Sequence, residues 1–451
     1  MFLQRLVLEN VRAIESLDLS FAAVDAPVRK WTLMLGQNGC GKSTVLKAVA
    51  LLLAGSEALP ELIGDPDSWI RLKADRCRMA ADLVTAEGET RHVELSLKRG
   101  DHIRRIFEDN KESLDRLDRA LAHAARNYLV VGYGVSRRLG DPGGSSSEVF
   151  THPRSRSVAT MFSNDATLSP LETWAIALDY ERGEEGLKIV RSTLDDLLPD
   201  VSFERIDKSA RKLLFRTPDG VLPLDQLSDG YQNAAGWCGD LLYRILRIFE
   251  DYKNPLSARG LLLIDEMDLH LHPVWKRRLV DYLSSKLPNF QILATTHSAL
   301  TVHQAGPGEL FVLKRDAEHA PPTLHAFEGE PRKLMLHQLL ISPIFGLETA
   351  DSRSVEQTRA EFQGLRDKPR NRLTTAERAR LPELERELLA LPDWDAAKPE
   401  EAQRRELLED IRLALRDDVD RKPGREGRPK RGAATKPPGT KAKTKPRPGK
   451  S

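Results

Sequence analysis

Hydrophobic and polar positions alternate in short runs at the start of the chain. Residues 3 to 8 and 16 to 22 read as two strands around a polar corner, and WTLML (31 to 35) reads as a third, buried strand. A glycine-rich loop follows it, after which Val45, Leu46, Val49, Leu52 and Leu53 fall on one helical face. The opening unit is therefore strand, loop, helix. From Gly55 to Asn127 the pattern loosens. Two alternating runs, Met79 to Thr85 and Val93 to Leu97, flank a turn at AEGE, and a charged helix spans 111 to 126. YLVVGYG (128 to 134) is another apolar strand, followed by a GGSSS loop (143 to 147) expected to be mobile. Residues 165 to 215 read as mainly helical. Two more buried strands, GLLLID (260 to 265) and FQILATT (290 to 296), are separated by a helix-length segment, the alternation of a parallel α/β sheet.

Past Pro343 the pattern changes to charged helical segments over 352 to 420. One is opened by the box Thr374-x-x-Glu377, and another carries Leu407, Leu408, Ile411 and Leu415 on one stripe. No internal repeat is present. The last 30 residues hold 11 Lys or Arg against one acid, with no aromatic, Leu, Ile or Val. Such a segment buries too little apolar surface to offset its ordering entropy, so disorder is expected. The whole-chain charge of +2 conceals this: without the tail, residues 1 to 421 carry about −8. A basic end of this kind is either a solvated tail or a non-specific contact for nucleic acid.

No run approaches the roughly 18 apolar residues of a membrane span, and the first 15 residues carry charges every few positions, unlike a secretion signal. Three widely spaced cysteines, Cys40, Cys77 and Cys238, suit neither a disulfide framework nor a cysteine zinc site. A cytoplasmic protein with no membrane partner is expected.

The candidate chemistry begins at GQNGCGKS (36 to 43), which fits G-x-x-x-x-G-K-[ST]. Gly36, Gly39 and Gly41 let backbone N–H groups wrap a polyphosphate, the helix N-terminus adds its positive dipole end, Lys42 neutralises charge, and Ser43 would hold Mg²⁺. Asn38, Cys40 and Thr44 complete the expected nucleotide-binding set. In GLLLIDE (260 to 266) an apolar strand delivers two carboxylates to the carboxyl end of the sheet, where doubly wound folds bind ligands. Asp265 suits a water-mediated Mg²⁺ contact and Glu266 a base acting on water. Cys40, inside the loop at a helix N-terminus, admits a redox reading beside that of a small tolerated residue. His270, His272 and His297 lack the further ligands of a zinc site and are assigned to loop packing. Asp393 and Asp395 in LPDWD follow no buried strand, so they do not read as a nuclease metal pair.

LSDGYQ (227 to 232) precedes a helix with Leu241, Leu242, Ile245, Leu246 and Phe249 on one face, and ATTHS (294 to 298) ends the strand after the acidic pair. The ordered set GQNGCGKS, LSDGYQ, LLLIDE and TTHS resembles the nucleotide-binding domain of ABC-type ATPases, and the opening LVLENVRAIESLDLSF is similar to RecF/SMC-like members. LLLIDEMDLHLHPVWKRRL, GYGVSRR and FGLETADS resemble AAA-family ATPases of bacterial anti-phage systems, those of the Septu type above all. The likeness spans roughly residues 1 to 351.

This resemblance implies an α/β P-loop NTPase of the ABC-ATPase type, with a mixed or parallel sheet and a helical lobe. The ATPase domain would occupy 1–351, with about 56–127 and 140–225 as insertions or helical lobe, followed by a helical appendage (352–421) and a disordered basic tail (422–451). It implies ATP and Mg²⁺ as cofactors, Ser228 and Gly230 on the γ-phosphate bound to a partner subunit in a head-to-tail dimer or higher oligomer, and His297 as the switch histidine beside the catalytic Glu266. It also implies an effector nuclease acting in trans. The signature departs from the usual pattern at Asp229 and Tyr231, and no Gln ends the 128 to 134 strand, where Arg137 and Arg138 stand nearby. A RecF/SMC-like repair ATPase and a nucleotide-switched regulatory module with little turnover are the alternatives.

Overall fold

The computed structural model describes residues 1–391 except 24, 25, 27, 86, 87, 125–127, 141–149, 199, 318, 348, 350, 370 and 371. The chain divides into two units, Met1–Ala350 and Asp351–Ser451. Along the first unit run β1 (Phe2–Val11), β2 (Ile14–Ser20), β3 (Trp31–Gly36), α1 (Lys42–Leu52), α2 (Leu59–Ile63), β4 (Arg76–Val84), β5 (Thr90–Lys98), α3 (Ile103–Asp109), α4 (Lys111–Ala124) and β6 (Leu129–Tyr133). There follow β7 (Arg138–Leu139), α5 (Pro153–Phe162), β8 (Thr167–Leu168), α6 (Leu171–Leu197), β9 (Ser202–Asp207), β10 (Lys212–Thr217), β11 (Gly220–Pro223) and α7 (Asp229–Ile248). The unit ends with β12 (Gly260–Ile264), α8 (Pro273–Lys286), β13 (Phe290–Thr295), α9 (Ala299–Val302), β14 (Leu310–Arg315), β15 (Pro322–Ala326) and α10 (Leu336–Leu340).

The central sheet has the order β15-β14-β3-β13-β12-β6. Five of its strands are parallel, and β15 pairs antiparallel at one edge, so the sheet is mixed. Its strands read as unbroken apolar runs because both faces are covered. In β12, Leu262 and Ile264 point into one core with α7 and α8, whereas Leu261 and Leu263 point into another with α1 and the first strands. That second layer is a four-stranded antiparallel sheet, β2-β1-β4-β5.

A polar side chain ties the two sheets. Gln291 in β13 is 2% exposed; its Oε1 accepts from Leu3 N at 2.8 Å and its Nε2 donates to Leu3 O at 2.8 Å, satisfying a backbone pair of β1 at its irregular register. Asn110 covers the edge of β5 in the same manner, accepting from Ser96 N at 2.7 Å and donating to Ser96 O at 2.8 Å. The glycines of YLVVGYG have a packing reason. A Cβ on Gly134 would stand 2.0 Å from Thr160 O, so α5 lies directly on the backbone at the end of β6.

The reading of 165 to 215 as mainly helical holds only for its first part. The long helix α6 changes direction at Gly183 (φ 58°), and β9, β10 and β11 then form a separate antiparallel sheet. Phe203 and Phe215 meet edge-on inside it at 5.8 Å, with Leu213 buried beside them. The charged stretch IDKSARK between the strands imitates a helix in composition but forms the turn of a hairpin.

In the second unit, α11 (Arg353–Arg366) and α12 (Thr375–Leu389) pack through Leu365, Leu373 and Leu384. The box at Thr374 closes in both directions: Glu377 N donates to Thr374 Oγ1 at 3.3 Å, and Thr374 N to Glu377 Oε2 at 2.8 Å. The GGSSS loop, Asp393, Asp395, the stripe at 407 to 415 and the basic tail lie outside the described residues.

Replacing Gln291 by Leu would strand Leu3 N–H and C=O in the interior, at about 1–3 kcal/mol for each unpaired group. The expected result is a lower urea midpoint with an unchanged slope, read by far-UV circular dichroism.

Candidate functional site

The loop after β3 takes its shape from glycine. Gly39 and Gly41 hold φ of 77° and 97°, and a Cβ on Gly36 would stand 2.1 Å from Leu313 O. The first turn of α1 has neither a capping side chain nor an acidic residue, so its N–H groups remain available to an anion. Lys42 lies back along the loop, Nζ donating to Gly36 O at 2.7 Å and Gln37 O at 3.0 Å. Burial lowers its pKa, while Cys40, Asp265 and Glu266 act in the opposite sense. Cys40 is 1% exposed and packs among the core residues below the loop, so its thiol does not face the phosphate side. Asn38 is exposed, Ser43 half-buried and Thr44 buried.

Two strands away, β12 ends in Asp265 and Glu266. Thr295, at the end of the intervening β13, donates its Oγ1 proton to Asp265 Oδ1 at 2.6 Å and accepts from Glu266 N at 2.8 Å. Thr296 repeats the device one residue later, donating to Asp268 Oδ1 at 2.8 Å, and Lys276 Nζ stands 3.7 Å from the other oxygen of Asp268. Two adjacent hydroxyls thus hold the acidic turn. Glu266 sits at φ 47°, a left-handed conformation that favours glycine. Asp265 Oδ2 forms no hydrogen bond with a described residue. That oxygen and the half-buried Ser43 at the second position of α1 fit the donor set that Mg²⁺ takes.

His297 is exposed just past Thr296. Partial desolvation and the Lys42 cation hold its pKa below the ordinary 6.5, against the opposing pull of Glu266, Asp268 and Asp265. Its imidazole is therefore neutral at pH 7. Lys42, Asp265, Glu266 and His297 share one electrostatic neighbourhood at the carboxyl ends of β3, β12 and β13.

Ser228 and Gly230 stand elsewhere. Ser228 is the exposed N-cap of α7, its hydroxyl capping nothing in that helix. Among the described residues, no hydrogen bond joins it to the loop at 36–44. A Cβ on Gly230 would lie 3.2 Å from His270 O, which sets the start of α7 against the acidic turn. Tyr231 packs edge-on against Trp275 of α8 at 4.9 Å. His272 caps α8, its Nδ1 accepting from Val274 N at 3.4 Å, and His270 is exposed; no group of three or more His, Cys, Asp or Glu able to hold a metal occurs among the described residues.

Sequence reasoning left two features unassigned. The hydroxyls of Thr295 and Thr296 were present in ATTHS, but their partners follow only from strand pairing. Arg137 is buried, its guanidinium donating to backbone carbonyls of the acidic turn.

A glycine-shaped phosphate loop, an acidic pair two strands away and a histidine closing the strand between them resemble the site of a P-loop protein of the ABC-ATPase type. Two family models match, one described as "AAA domain, putative AbiEii toxin, Type IV TA system" over residues 107–302 and the other as "AAA domain" over residues 5–188. The chain is similar to Septu protein PtuA of Bacillus mycoides (strain KBAB4), with 26% identity over 77% of this chain and 45% of that protein. It is also similar to the Retron Ec83 probable ATPase of Escherichia coli, with 28% identity over 32% of this chain and 26% of that one. Among solved structures, the SMC head domain from Thermotoga maritima matches at 15% identity and a TM-score of 0.39, covering 73% of this chain and 100% of the other. The chain spans less than half the length of these two curated relatives. They bear out the likeness to an AAA ATPase of the Septu type.

The charges around His297 give opposite expectations for two substitutions. Lys42→Met removes a repelling cation and should raise the His297 pKa, whereas Glu266→Gln removes an attracting carboxylate and should lower it further. An NMR titration of the ring C–H signal reads both, with the wild-type midpoint below 6.5.

Proposed function

We propose that this chain binds ATP with Mg²⁺, hydrolyses it to ADP and phosphate, closes into a head-to-tail dimer around the nucleotide, and regulates an effector nuclease in trans as part of cytoplasmic anti-phage defence. The observation that carries the hydrolytic part is the convergence of Lys42, Asp265, Glu266 and His297 at the carboxyl ends of β3, β12 and β13. The defence part rests on similarity to proteins named Septu protein PtuA and Retron Ec83 probable ATPase. No described helix is long and apolar enough to cross a membrane.

On this reading, Lys42 exchanges the carbonyls of Gly36 and Gln37 for phosphate oxygens. Ser43 and Asp265 would hold Mg²⁺, which spreads the charge of the transferring phosphoryl group when bound. Glu266 accepts the proton of a water whose oxygen forms a bond to the γ-phosphorus as the bond to the β,γ-bridging oxygen breaks. Neutral His297 would hydrogen-bond at the γ-phosphate end of the site. The exposed Ser228 and the half-buried Gly230 would meet the partner's nucleotide. The basic tail adds a sequence-level reason for non-specific DNA contact.

Lys42→Ala should abolish ATP binding while leaving the fold intact, as read by a fluorescent ATP analogue. Glu266→Gln should retain binding and lose turnover by at least about 100-fold, and light scattering should show a larger mass in ATP than in ADP. An unchanged mass would remove the dimer from this proposal. The pure chain, with Mg²⁺ or Mn²⁺ and ATP, should leave plasmid DNA uncut. Robust cleavage by this chain alone would exclude an effector in trans.

A further inference from the structure

Arg137, in the loop after β6, is 7% exposed and forms no ion pair with any described residue. Its hydrogen bonds go to main-chain carbonyls. Nε donates to Gly134 O at 3.0 Å, and Nη2 reaches both Asp265 O at 2.5 Å and Glu266 O at 2.8 Å. Burial lowers its pKa to about 10, with Asp265 foremost among the groups opposing that shift, so it stays charged at neutral pH. Keeping a cation in the interior without a carboxylate on it is costly. What the guanidinium supplies in return is a rigid, planar set of donors on two consecutive carbonyls.

Those carbonyls flank the one residue whose direction matters most. Glu266 is held at φ 47°, a left-handed conformation that is strained for a residue with a Cβ. Thr295 secures it from the amide side and Arg137 from the carbonyl side. The guanidinium also lies over the ring of Trp237 at 5.7 Å, on the helix that Ser228 begins. Trp237 packs on Tyr133 at 5.7 Å, and Tyr133 OH donates to the fully buried Asp240 at 2.8 Å. Asp240, on α7, also accepts from Ser169 N at 2.9 Å and Arg244 Nε at 2.6 Å. The end of β6, α7 and the acidic turn therefore share one packed cluster with Arg137 at its centre.

We propose that Arg137 is a positioning residue: it locks the peptide groups on either side of Glu266 and links the orientation of α7 to the aim of that carboxylate. The link to turnover rests on the ATPase reading above. The locking of the turn stands on the hydrogen bonds of Arg137 alone.

The test uses the full chain with Arg137→Gln and with Arg137→Lys, which keeps the charge and loses the fork. Amide hydrogen exchange without nucleotide should speed up at least tenfold over 264–271 in both variants, with β1 and β2 unchanged. ATP affinity should stay within about threefold while kcat falls about 100-fold, the loss expected from misplacing a reacting group by about 1 Å. Millimolar guanidinium, but not urea, should restore part of the turnover of Arg137→Ala. Unchanged exchange over 264–271 in a folded variant would overturn the locking role. Faster exchange with unchanged kcat, or affinity and kcat falling together, would overturn the link to Glu266. A wild-type chain with no turnover would sink the ATPase reading, leaving the exchange measurement to judge Arg137.

Discussion

The parallel register of three strands sets the level at which the chemistry happens. Ala294 lies opposite Leu33 on one side and Ile264 on the other, so β12 and β13 end within one residue of each other while β3 runs on to Gly36. The next residues along them are Thr295 beside Asp265 on one side and Met34 on the other, and the phosphate loop opens two residues beyond Met34, at Gly36. Because side chains alternate across a strand, a slip of one residue would turn Leu262 and Ile264 into the wrong core and carry Asp265 away from Thr295. Burial of both faces fixes that register without help from the site. Gln291 pins the antiparallel layer onto the same strand, so α1 and the loop that opens it are set against the sheet as well.

This division explains what could be read in advance. The phosphate loop and the acidic pair are local patterns: glycines where positive φ is needed, and short apolar runs ending in the residues that reach the sheet edge. Strand, loop and helix therefore follow from adjacent residues. The sheet of β9, β10 and β11 did not, because its inward residues Phe203, Leu213 and Phe215 are sparse among Lys, Arg and Asp. Composition there favours a helix, and only packing against the larger core favours strands. Arg137 is a harder case still. Nothing in GYGVSRR distinguishes its second-last arginine from its neighbour, since the acceptors are carbonyls about 130 residues away.

One departure from the expected signature, at Tyr231, also has a packing account. Tyr231 stands where the family pattern has Gln, and its ring meets Trp275 edge-on. Trp275 belongs to the HLHPVWKRRL phrase, in which His272 and Pro273 start α8. The unusual residue at the start of α7 and the unusual phrase after the acidic pair are thus two halves of one contact. A change at either would disturb the other, and would tilt α7 relative to the turn that carries Glu266.

The acidic turn is held from several directions by the protein's own groups. Glu266 and His270 both adopt positive φ without being glycine, at 47° and 62°. Such backbone persists only where the surroundings over-determine it. Here Thr295 and Thr296 act from β13, Lys276 from α8 and Arg137 from the loop after β6. Electrostatic stabilisation of a transition state is largest when the groups are fixed beforehand, since no reorganisation then accompanies the reaction. Lys42 differs: on the proposed reading its amine would exchange two carbonyls for a phosphate, and burial already disfavours its charge there. A polyphosphate supplies the negative charge that those carbonyls only partly replace. On the proposed reading, the loop lysine is thus the part of the site that would respond to ligand, and the acidic turn the part that stays still.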